Sequence, residues 1–332
     1  MMLLLSIAFF ALVNLAPGGP LSGYGHARRI PATQIARLKR QLGLDKPLPF
    51  QYVVWLVGND WMQVDLNGDG IPDAHGTRRG VLRGDFGYSF RTRQPVLDEI
   101  WMRLPNTLYL MSATLLLALA VAIPIGVYSA LKQYSKFDIM VTTMAFAGQA
   151  LPDFWLGLIL IIVFYVWLHN PLTGGPLLPS GGMYTIGAPF SISDRLAHLA
   201  MPVVAGALGW LAWYSRFLRS SMLDVIHQDY LRTARAKGLP ERLVIFRHAL
   251  RNALIPLVTL LGLDLPYLVG GAVFIEMIFA WPGVGLLYYQ AALQRDYPIL
   301  MASLVLGAVA IILSNLLADI VYAFLDPRIH YT

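Results

Sequence analysis

The sequence predicts an all-α polytopic membrane protein with six transmembrane helices, and three observations carry that prediction. Of its 332 residues 57% are apolar and only 13% charged, a balance that suits lipid better than water as the main solvent. Five apolar runs approach or exceed the roughly 20 residues that cross a bilayer as a helix: 106–131, 139–168, 198–218, 254–279 and 299–325. A sixth run, 1–15, is shorter and reads as the outer part of a first helix whose opening turns are missing. It lacks the basic start and small-residue cleavage site of a signal peptide.

Residues 16–103 are polar, rich in Gly, Pro and Arg, and read as a small soluble subdomain between the first and second helices. Within it "PATQIARLKRQLGL" has the apolar spacing of one amphipathic helix, closed by Gly43. Residues 104–325 hold the other five spans with a cytoplasmic loop at 219–251, and 326–332 form a tail. Short loops set the orientation, because long ones cross largely regardless of charge. "KQYSKFD" is basic, and Ser215 to Arg251 holds eight Arg or Lys against three acids, whereas "AWPGVGLLYYQAALQRDYP" is nearly uncharged. The basic loops belong inside, which puts both termini in the cytoplasm and residues 16–103 outside.

Several function classes drop out. The net charge of +6 comes from scattered arginines with no basic patch carrying stacking aromatics, so lipid rather than nucleic acid explains it. Without cysteine there is no disulfide and no thiolate metal site. None of the five lysines follows a glycine, so no GK[ST] phosphate loop exists and the chain is not its own ATPase. The seven histidines form no HExxH and no G-x-S-x-G elbow occurs, so an enzyme is not expected.

Three groups of residues remain as candidate sites. "DLNGDGIPDAHG" alternates Asp65, Asn67, Asp69 and Asp73 about Gly70, with a backbone carbonyl at Ile71, as a calcium loop does; Gly76 stands where the bidentate glutamate belongs. Calcium is the one ion this chain is expected to hold, in a structural role. Acids within apolar runs usually face a bundle interior or water. Asp264 is the pathway candidate, and Trp210, Tyr214 and Tyr267 are the aromatics that read as lumen residues; Glu276 reads as orienting a turn, and Asp153 and Asp319 as caps near span ends or prolines. Trp155, Trp167, Trp213 and Trp281 read as interface anchors.

In the cytoplasmic loop, Met222, Leu223, Ile226, Tyr230 and Ala234 keep a helical stripe that stops at Gly238 and Pro240. The small residues Thr233, Ala234, Ala236 and Gly238 suit a close-fitting protein groove, where a lipid surface would favour Trp, Phe and Leu. This loop, "QDYLRTARAKGLPERLVIFRHALRNALIP", resembles the signature loop of the permease subunits of bacterial ABC importers, in the dipeptide, oligopeptide and nickel branch. "LAPGGP", "QLGLDKPLPFQY", "RGDFGYSF", "RLPNTLYL", "DFWLGLIL", "EMIFAWPGVG" and "DPR" agree with the first, B-type permease of such systems.

The resemblance implies a coupling helix over 224–238, with Asp224, Asp229, Tyr230, Thr233, Ala234, Ala236 and Gly238 meeting an ATPase subunit. It implies a second permease, two ATPase subunits that hold ATP and Mg2+, an extracytoplasmic solute-binding protein, and peptides as cargo at a bacterial inner membrane. Val57 to Arg83 departs from the branch as an insertion. Two rival readings are a calcium-responsive receptor or scaffold and an ion-coupled secondary transporter using Asp264 and Glu276.

Overall fold

The computed structural model describes residues 2–15 and 31–325. The tail 326–332 with its "DPR" motif, most of "LAPGGP" and the side chain of Asp319 lie outside the described residues. The chain is mostly helical and divides into two compact units, residues 1–103 with 287–309, and residues 104–286 with 310–332. By length and hydropathy, four helical runs among the described residues can cross a membrane, or five if one sharply bent pair is a single span.

The first unit begins with α1, Met2–Leu15, followed by α2, Ala32–Gln41, and α3, Leu48–Val57. The expected amphipathic helix is α2, and Gly43 follows it at φ 70°. Phe10 and Val13 pack with Trp55, Tyr297 and Met301, and the Ser6 and Tyr52 hydroxyls hydrogen-bond at 2.8 Å. The Val57–Arg83 segment makes a hairpin: β1, Gln63–Val64, pairs antiparallel with β2, Ala74–His75. Asn59 anchors its base, donating to Gln41 O at 3.0 Å and accepting from Arg78 N at 3.0 Å. Buried Asp296 accepts from Ser89 Oγ, Phe90 N and Arg91 N, which ties the "YSF" turn to the 287–309 segment.

The second unit is organised on α4, Val96–Leu131, whose first turns belong to the first unit, and on α7, Ile192–Ile226. Between them the run 139–168, expected as one span, is built from two helices, α5, Lys136–Ala150, and α6, Asp153–Ile161, the latter running on through a π-helical stretch, Ile162–Trp167. The two meet at 98°. Pro152 has no N–H to donate and forces Leu151 into an extended conformation, ψ 128°, so the helix cannot continue.

After α7 come α8, Asp229–Ala236, and α9, Glu241–Leu243, which passes through a π-helical stretch, Val244–Ala249, into α10, Leu250–Gly270. The expected span 254–279 is interrupted at Gly271, whose φ of 75° suits glycine, before α11, Val273–Ile278. Then follow α12, Val284–Gln294, and α13, Tyr297–Leu325.

Candidate functional site: the cytoplasmic hook and the polar residues of the bundle

The loop predicted as one helix from 222 to 238 is two. α7 ends at Ile226, His227 and Gln228 leave the helix, and α8 starts afresh at Asp229, whose charge suits a helix N-terminus. Met222, Leu223 and Asp224 therefore belong to the long helix, and the hook proper is eight residues long. A straight continuation would carry Leu231 into solvent. The break folds it into a cluster with Leu218, Met222, Val244, Ile245 and Ala253, where it is fully buried. Burying one leucine is worth roughly 1.5–3 kcal/mol, enough to set the angle of a short helix.

Ala234 is the second inward residue of the hook. The expectation that it leaves room for a partner is corrected: it fills the chain's own cluster. The outward face carries Asp229, Tyr230, Arg232, Thr233, Arg235 and Ala236, all exposed. The Tyr230 hydroxyl accepts from Asn252 Nδ2 at 2.7 Å, and Arg235 pairs with Glu241 at 3.0 Å, bracing the hook against the next helix. Gly238 ends it at φ 79° with open space around its Cα, so any other residue there is strained by backbone conformation, by roughly 1–2 kcal/mol, and not by contact.

Sequence reading missed the support above the hook. Asp138, at the start of α5, is buried and accepts from Ser129 Oγ on α4, from Tyr134 N at 2.9 Å, and from Arg219 of α7 at 2.6 and 2.8 Å. This two-pronged charge pair ties three helices beside the hook's hydrophobic cluster. Its signal in sequence was only an acid and an arginine some eighty residues apart, which nothing local connects.

Of the pathway candidates, Tyr214 and Asp264 meet: the tyrosine hydroxyl donates to Asp264 Oδ2 at 2.5 Å, joining α7 to α10. Trp210 lies 6.5 Å from the Tyr214 ring. Tyr267 is not part of this group and is 62% exposed. Asp153, expected near a span end or a proline, directly follows Pro152 as the first residue of α6, and its carboxylate lies beside Gly209, midway along the 35-residue α7.

Glu276 orients the "FAWPGVG" turn as expected. It is fully buried, accepts from Thr107 Oγ1 at 2.9 Å and from Leu286 N at 2.8 Å, and Thr107 in turn accepts from Val284 N at 2.7 Å. A Cβ on Gly283 would stand 2.5 Å from both the carboxylate and the threonine hydroxyl, so only glycine fits. Trp281 is corrected from interface anchor to core: it is 1% exposed and donates to Asn106 O at 2.9 Å. Trp155, Trp167 and Trp213 are exposed.

The acidic loop spends its oxygens on itself. Asp65 accepts from Gly68 N at 2.5 Å and Gly70 N at 2.7 Å, Asp69 from Ile71 N at 2.8 Å, and Asp73 from Leu66 N at 2.8 Å; Asn67 donates to Asp69 at 3.0 Å. The Gly68 N–H above all holds the Asp65 carboxyl below the ordinary aspartate range. Among the described residues no group of three or more His, Asp or Glu side chains is placed to hold a metal ion.

With this geometry in place, the chain can be set beside known proteins. The family profile described as "Binding-protein-dependent transport system inner membrane component" matches residues 122–331, and the profile for the N-terminal part of such components matches residues 1–111. The oligopeptide transport system permease protein AppB of Bacillus subtilis (strain 168) is 42% identical over 328 residues, 98% of this chain and 94% of that protein. The dipeptide transport system permease protein DppB of Escherichia coli (strain K12) is 36% identical over 344 residues, 98% of this chain and 94% of its own length. A chain of the MetNI methionine ABC transporter, in an inward-facing conformation, superimposes with a TM-score of 0.55 at 18% identity, covering 70% of this chain and 99% of that one; this shows a shared fold.

Proposed function

Because the chain belongs to the family of inner-membrane components of binding-protein-dependent transport systems, we propose that it forms half of the pore of an ATP-driven importer of peptides. It is a multi-pass inner-membrane permease subunit and carries no catalytic site of its own. The peptide assignment is supported by the names of its relatives. The partners are a second permease, two ATPase subunits holding ATP and Mg2+, and an extracytoplasmic solute-binding protein. In this reading α1 completes a set of six spans, and the basic charge of the short loops supports both termini inside and the α2–α3–hairpin region outside.

One observation carries the mechanism: α8 packs Leu231 and Ala234 into its own bundle and turns Tyr230, Thr233, Arg235 and Ala236 outward. A hook glued on one side and bare on the other transmits a push. Closure of the ATPase pair displaces α8, the Leu231 cluster passes the motion to α7 and α10, and the bundle shifts between two packings of similar free energy. Asp224 is exposed on the last turn of α7 and would contact the rim of the same ATPase cleft. The Tyr214–Asp264 pair, flanked by Trp210, would border the path, and exposed Tyr267, three residues along α10 from Asp264, would border it as well.

The chain has no native cysteine, so T233C and A236C place unique thiols in this subunit. Both should cross-link to an ATPase subunit in the assembled importer, at a rate that changes with bound nucleotide. Labelling by lipid-soluble reagents alone, with no cross-link, would overturn the assignment.

A further inference from the structure

Two charged side chains of the second unit sit at membrane depth on an open face, and the coupling mechanism uses neither. Asp153 follows the bend between α5 and α6, is exposed, and has no hydrogen-bond or ion-pair partner among the described residues. Its Oδ1 lies 3.9 Å from a Cβ built on Gly209, at the midpoint of α7. The α5–α6 joint is itself midway between Lys136 and Trp167. The place of Asp153 beside the midpoint of α7, a helix long and apolar enough to cross a membrane, puts this carboxylate at mid-span.

Arg216 stands seven residues further along α7, on the same face as Gly209 and about 10 Å toward its C-terminal end. Its guanidinium donates to Gln149 at 2.8 Å and lies 4.5 Å over the Phe146 ring, which holds it against α5. Trp213 sits between the two positions and is 44% exposed. The hydrocarbon half-layer is about 15 Å deep, so both charges fall within it. At that depth charged groups face a bundle interior or a water-filled cavity, and a broken helix is tolerated where it is buried in protein or lines such a cavity.

We propose that the Gly209–Trp213–Arg216 stripe of α7, together with Asp153, lines the aqueous translocation path and receives the two ends of a short zwitterionic peptide. Asp153 meets the ammonium group and Arg216 the carboxylate. The rise of about 10 Å along α7 between Gly209 and Arg216 is on the scale of a short extended peptide of two or three residues. Trp213 offers a flat apolar surface for whatever side chain lies between, and Gly209 leaves room for the backbone. This assignment rests on the peptide reading above.

Two measurements on the full importer separate its parts. In membranes, D153C and R216C should react with a water-soluble, membrane-impermeant methanethiosulfonate, and L116C, on an apolar exposed position of α4, should not. Binding protein loaded with tripeptide, plus ATP, should slow both reactions severalfold. A D153C thiol no more reactive than L116C overturns the water path, and identifies a face sealed by lipid or by the second permease. In uptake, D153N should lose about tenfold for a free-amino tripeptide and D153E should restore most of it; equal uptake by D153N overturns the role of the carboxylate. Wild-type importer that takes up no tripeptide, with both thiols still reactive, overturns the peptide and leaves the water path standing.

Discussion

Glu276 and Asp153 are both carboxylates set in apolar runs, and the chain treats them in opposite ways. Glu276 is enclosed by donors from Thr107 and Leu286 and by glycines that admit no side chain. Asp153 has open space and no partner among the described residues. An acid in a membrane segment is therefore not by itself a functional signal. When the neighbours supply hydrogen bonds it shapes a turn, and when they do not it needs water or a ligand.

Asp138 extends the comparison, being caged by an arginine rather than by hydroxyl and backbone. Removing that arginine leaves a buried charge unpaired, so R219A should produce the largest loss, about 3–5 kcal/mol, read as collapse of the membrane-inserted level or of thermal stability in detergent. Wild-type stability of R219A would place Asp138 in water. Next, G283A forces a methyl into the Glu276 cage, at a cost of about 1–3 kcal/mol, whereas G209A, with Asp153 Oδ1 3.9 Å away, should cost well under that. Equal effects of the two would erase the distinction between the carboxylates. D153N should change stability by less than about 0.5 kcal/mol, as at an exposed site, while changing uptake.

The smallest effect belongs to the acidic hairpin. The Asp65 carboxyl is depressed by the Gly68 N–H, so its stabilising contribution is present above the ordinary aspartate value near pH 4 and is lost as pH falls through the lower folded value. Thermal stability should be flat between about pH 5 and 8, and D65N should blunt the acid-side decline. The melting temperature with and without about 1 mM calcium tests the loop as an ion site: a rise places an ion there, and no change leaves the loop braced by its own N–H groups alone.

Much of this was legible in the sequence because it depends on local spacing. The apolar runs located the helices, Gly43 closed α2, and the cytoplasmic motif with "EMIFAWPGVG" pointed to the family. What escaped depends on contacts between distant segments. Nothing near Ala234 reveals that Val244 and Ile245 return to cover it. Nothing near Asp153 reveals that the bend at Pro152 sets it beside the middle of α7, and Trp281 looks like an interface residue until Asn106 accepts its N–H. In the 65–73 loop the sequence shows the alternating oxygens but not the backbone donors that brace them, Gly68 N on Asp65 and Ile71 N on Asp69.

The account turns on α8 as the part that receives the ATPase stroke. Thr233 is exposed and its side chain packs into none of the buried clusters, so T233W should leave insertion and assembly intact. ATP hydrolysis and peptide uptake measured together in proteoliposomes give the number of ATP consumed per peptide. The account predicts that this ratio rises at least tenfold in T233W as uptake fails and hydrolysis persists. An unchanged ratio at wild-type uptake would contradict it.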